Sequence, residues 1–125
     1  MIYLNIEIMK QLSNKEIVEL LKEAKILYII YAKSDIYYRV IRGLCYCITK
    51  SYKKKYNKYL YYDEIIYIIP KFTKEFCNAE PNMDVYWWKP YDAESRIKAF
   101  DKLIFYYKYK APVYDIINKI KSIFK

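Results

Sequence analysis

Residues 13–32 read SNKEIVELLKEAKILYIIYA, and the reading of this stretch decides the fold. Ser13 with Glu16 three residues later fits a capping box, in which a hydroxyl and a carboxylate each satisfy a backbone N–H that the first helical turn leaves open. Behind it Ile17, Leu20, Leu21, Ala24, Leu27, Tyr28 and Tyr31 recur at helical spacing. The spacing predicts a helix over 14–31 that ends near Lys33, Ser34 and Asp35.

The same period continues along the chain. Residues 37–56 read as a second long helix, with Val40, Ile41, Leu44, Ile48 and Tyr52 in a broad apolar face. At 100° per residue, Arg39, Arg42, Tyr46, Lys50 and Lys53 fall within about 60° of one another on the opposite face. The only glycine, Gly43, lies inside this helix and permits a close crossing or marks a break. Asp63 and Glu64 can cap a short helix that Pro70 stops, and Thr73 can cap another turn through Cys77. Residues 78–91 form the main irregular loop. Asp92 caps a third long helix over 93–109, with Ile97, Phe100, Leu103, Ile104 and Tyr107 as its buried face. Pro112 suits the first turn of a last helix over 113–124, where Val113, Ile116, Ile117, Ile120, Ile123 and Phe124 trace an apolar stripe. The N-terminal segment 2–8, IYLNIEI, alternates like a strand, yet the rest of the chain offers it no strand partner; strand and helix both stay open. The expected fold is mainly α: a compact bundle of four main helices with short extra helices, in one domain over residues 1–125.

Composition excludes several functions. With one glycine, neither a dinucleotide-binding fingerprint nor a phosphate-cradling loop can be written. With no histidine, the commonest general base and neutral metal ligand are missing, and no Ser-His or Cys-His nucleophile pair can form. Three cysteines, Cys45, Cys47 and Cys77, do not complete an ordinary structural zinc site and read as small core side chains. The odd cysteine count, without a signal-like N-terminus, points to the cytoplasm. No apolar run approaches the ~20 residues of a membrane span, so no membrane partner is expected. The carboxylates are scattered; no enzyme activity and no cofactor are expected.

The net charge of +9 favours an anionic partner. The stretch SYKKKYNKYLYY, residues 51–62, interleaves lysine with tyrosine, which suits phosphate neutralisation and base stacking. Lysine and tyrosine are also what A/T-rich coding sequence supplies, so a solvated helix end competes with that reading. Codon bias does not explain Trp87 and Trp88, which lie between Pro81 and Pro90. One of them can anchor the loop while the other serves as a binding platform, with Asp92, Glu94 and Arg96 as a polar rim. The candidate ligand-binding set is therefore Arg39, Arg42, Tyr46, Lys50, Lys53, Lys54, Trp87, Trp88 and Arg96.

The order RGLCYCI (42–48), IIPKF (68–72) and YWWKPYDAESRIKAFDKLI (86–104) resembles a group of small accessory proteins of Firmicutes phages and prophages. That resemblance implies a gene expressed in the cytoplasm of an infected bacterium and no particular catalysis. It makes a non-enzymatic antagonist of antiviral defence the leading expectation, with a signal nucleotide or a nucleic-acid-handling defence protein as its target. A nucleic-acid-binding regulator using the basic 39–58 region and a virion assembly protein are the alternatives. The many tyrosines and the unpaired 2–8 segment also lead us to expect a homo-oligomer.

Overall fold

A computed structural model describes residues 11–32, 44–61, 64–72 and 92–124. Within them lie α1 (Asn14–Ala32), α2 (Leu44–Tyr56), a single turn α3 (Ile65–Ile68), α4 (Asp92–Phe105) and α5 (Ala111–Ile123). A π-turn over Tyr106–Lys110 joins the last two. The described residues are mainly helical, as expected, and contain no strand. The open question at 2–8, the segment 37–43 with Arg39 and Arg42, the cap at Thr73 and the Trp87–Trp88 loop fall outside the described residues.

The start of α1 is the predicted capping box. The Glu16 N–H donates to Ser13 Oγ at 3.1 Å, and Glu16 Oε1 accepts the Ser13 N–H at 3.0 Å. From there Ile17, Leu20, Leu21, Ala24 and Tyr28 form one buried stripe. This stripe is the centre of the protein, because α1 packs against both α2 and α4. From α2 come Cys47, Ile48 and Tyr52, from α3 Ile65 and Ile68, and from α4 Phe100 and Leu103. Each such aliphatic or aromatic side chain taken from water stabilises the fold by about 1.5–3 kcal/mol.

α2 ends inside the lysine–tyrosine run. Asn57 takes a left-handed backbone (φ 56°), and its N–H donates to the Lys53 carbonyl at 2.9 Å. Asparagine tolerates that conformation better than other non-glycine residues. α3 stops before Pro70, where Ile69 is forced out of the helical region (φ −131°, ψ 79°).

The end of the chain carries the two expected helices, with Pro112 in the first turn of the second. What the pattern does not announce is the join: the helical backbone runs on from Phe105 to Ala111 through the π-turn. The Ala111 N–H donates to the Tyr106 carbonyl, five residues back. Pro112 has no N–H to give, and its ring crowds the carbonyl four residues behind it; the wider π-turn just ahead accommodates both. The chain does not reverse here, so α5 continues from α4. Among the described residues it meets the π-turn, and near its first turn Asp115 Oδ2 accepts from Asn14 Nδ2 at 2.9 Å.

Candidate functional site

Lys50, Lys53, Lys54 and Lys55 of α2 lie along its side next to α1. Between the two helices lies a groove of about 600 Å³. Lys50, Lys53 and Lys54 line one side, and Ile26, Leu27 and Ile30 of α1 line the other. Ile26 is 60 % and Ile30 59 % exposed, which is unusual for isoleucines on the helix that carries the core. Among the described residues of the groove the one carboxylate, Glu23, is engaged by Lys55 Nζ at 3.4 Å; Glu19 holds the same ammonium from 3.5 Å. Burial works against the charge of Lys55, but Glu23 and Glu19 outweigh it and hold the ammonium above its ordinary pKa. With its acid taken up by Lys55, the groove presents three ammonium groups beside an apolar floor.

The aromatic members of the run contribute selectively. Lys53 Nζ sits 4.2 Å from the centre of the Tyr59 ring and donates to Asn57 Oδ1 at 3.2 Å. Lys50 Nζ lies over the Tyr46 ring at 5.5 Å and within 3.4 Å of its hydroxyl. Tyr46 itself is half-buried against the core, so it steers Lys50 rather than offering a free face. Tyr52 is buried outright, whereas Tyr59 and Tyr61 are exposed. The run is thus neither a uniform ligand surface nor a uniform solvated end. Helical periodicity sends Tyr52 inward and leaves Lys53 and Lys54 at the groove.

Arg96 is placed differently from the expected polar rim. It is 1 % exposed and donates from Nη1 to Tyr28 Oη at 3.4 Å. The reason is its register: Arg96, Ala99, Phe100, Leu103 and Tyr107 share one face of α4 and the π-turn, and that face is the core. The side chain is therefore a structural strut and not a surface contact.

Two further features were not singled out from the pattern. Ile26 and Ile30, four residues apart on the side of α1 away from the core stripe, are one; an apolar i, i+4 pair on a polar face is the signal that could have found them. The other is a cavity of about 520 Å³ where Lys71, Lys102 and Lys110 surround Phe105, Tyr106 and Tyr114. Lys71 Nζ lies 4.7 Å from the Tyr106 ring centre, and Asp101 in the same cavity is paired with Lys25. Apart from Lys71, its residues lie within 101–114 on one continuous helical run, at a spacing that puts Lys102, Phe105, Tyr106, Lys110 and Tyr114 on neighbouring turns.

Neither cysteine of α2 is poised for chemistry. Cys45 and Cys47 are buried, and burial pushes the Cys47 thiol up to about 12, with Lys50 pulling only weakly the other way. Among the described residues no group of three or more potential ligands is gathered to hold a metal ion, and no helix is long and apolar enough to cross a membrane. Comparison with known protein families, curated proteins and solved structures found no match to this chain.

Proposed function

We propose that this is a non-enzymatic binding protein whose ligand is a signal nucleotide, held in the groove between α1 and α2. The observation that carries this reading is the juxtaposition of Lys50, Lys53 and Lys54 with Ile26 and Ile30. Phosphates require ammonium groups, while a nucleobase or sugar face requires an apolar or aromatic wall; this groove offers both within one ligand's length. In the infected cell that the family resemblance implies, taking such a nucleotide out of circulation blunts a defence system that signals with it. Single-stranded nucleic acid is the second reading, favoured by the exposed Tyr59 and Tyr61 beyond the groove.

Calorimetric titration with cyclic dinucleotides, linear nucleotides, single strands and unrelated duplex DNA tests the proposal. Nucleotides are expected to bind and the duplex is not. Combined Lys50→Gln, Lys53→Gln and Lys54→Gln substitution is expected to weaken binding by about tenfold or more and to flatten its salt dependence. Full affinity in that variant, with loss in Trp87→Ala plus Trp88→Ala, would move the site to the tryptophan loop.

A further inference from the structure

We propose that α5 is a peripheral membrane anchor, lying along an anionic bilayer surface. This departs from the expectation of no membrane partner, which rested on the lack of a spanning run; lying on a bilayer is a different physical demand. The proposal is independent of the α1–α2 groove.

The first observation is exposure. Val113, Ile116, Ile117, Ile120, Ile123 and Phe124 line one side of α5, and each is between 40 and 83 % exposed. Their counterparts on α1 are buried almost completely. A helix of 13 residues is about 20 Å long, so the stripe is contiguous and larger than the scattered apolar side chains of an ordinary surface.

The second observation is the chemistry of the stripe's edges. At 100° per residue, Lys119 and Lys121 fall about 100° to either side of its centre, and Tyr114 lies next to Lys121. Apolar centre with lysine and tyrosine at the margins is the arrangement that buries isoleucine among acyl chains while ammonium and phenol groups reach the headgroups. The only acid of the helix, Asp115, is turned to the body and accepts from Asn14. The charge beside the stripe is therefore of one sign and calls for an anionic cover.

These features argue against a second copy, although the sequence leads to expecting an oligomer. Two stripes centred on each other would set Lys119 and Lys121 of one chain within about one helical turn of those of the other. A protein partner would have to supply an acid-rimmed groove, because the exposed apolar stripe of α5 is flanked by lysines. A bilayer containing anionic lipid supplies apolar depth and negative charge together, with no demand on shape.

Flotation of the full chain with phosphatidylcholine vesicles, with and without phosphatidylglycerol, tests this. The protein is expected to float with the anionic vesicles in a salt-sensitive way and to stay down with phosphatidylcholine alone. Ile116→Asp with Ile120→Asp is expected to cut vesicle partition by about tenfold or more, with far-UV spectrum and melting temperature unchanged. Lys119→Gln with Lys121→Gln is expected to lower only the anionic component. Failure of the wild type to float, or equal flotation of the aspartate variant, would overturn the proposal. So would a melting temperature several degrees lower in that variant, since the stripe would then be covered within the fold. A lipid-free dimer that the same variant disperses, seen by sedimentation, would assign the stripe to a second copy instead.

Discussion

α1 and α5 carry the same kind of apolar stripe and meet opposite fates. On α1, Leu20, Leu21, Ala24 and Tyr28 are fully buried; on α5, Ile116, Ile120 and Ile123 are at least half exposed. Period and residue type do not separate them. Connectivity does, because α1 is flanked by α2 and α4, whereas the π-turn carries α5 straight on from α4. An amphipathic stripe states that a face wants covering and does not state what covers it.

The sharpest way to break this comparison is a pair of matched truncations. Leu21→Ala should destabilise the protein by about 3 kcal/mol, and Ile120→Ala by no more than about 0.5 kcal/mol, because only the first leaves a cavity. Urea denaturation of both variants measures the difference. Equal losses would show that α5 is packed after all.

Arg96 sharpens the comparison from the polar side. It sits in the buried stripe of α4, and removing it empties a large volume beneath Tyr28. Arg96→Ala should cost about 2–3 kcal/mol, while Lys102→Ala on the exposed side of the same helix should stay within about 0.5 kcal/mol. Thermal melts of the two variants decide whether the guanidinium is a strut; little change for Arg96→Ala would return it to the surface role that the loop sequence suggested.

A smaller effect separates the packed body from the exposed helix by pH. Cys47 loses its proton near 9.0 when solvated and only near 12 when folded. Above pH 9 the unfolded chain therefore binds fewer protons than the native one, and stability falls as pH rises through that window. Tyr107 acts in the same direction: burial raises its phenol above the ordinary value, against a lowering contribution from the Lys71 N–H that it accepts. Lys55 gives a further loss at higher pH, where its raised ammonium finally deprotonates and releases Glu23 and Glu19. Melting temperature should decline between pH 8.5 and 11, and Cys47→Ala should flatten the first part of the decline. A profile unchanged by that substitution would mean the thiol is solvated.

The sequence was most legible where neighbours in the chain are also neighbours in space. Ser13 and Glu16 form their cap and Pro70 ends α3, both within a few residues. The groove was half legible: Lys50, Lys53 and Lys54 stood out by type, but their apolar wall, Ile26 and Ile30, lies on another helix. Arg96 was misread because its charge was weighed above its register. Of the cavity around Phe105, Tyr106 and Tyr114, Lys102 and Lys110 are near in the chain, whereas Lys71 arrives from a distant segment that no local pattern points to.

By itself, then, the sequence determined the helical class, the capping box of Ser13 and Glu16 and the exclusion of glycine-loop and histidine chemistry. These follow from local hydrogen bonding and from side-chain type, which no packing can change. The tertiary structure alone decided which of two equivalent stripes becomes core, that Arg96 turns inward, and that three lysines face two isoleucines. Those outcomes depend on which helix lies beside which, and a π-turn of five residues ahead of one proline was enough to carry the last of them on from α4.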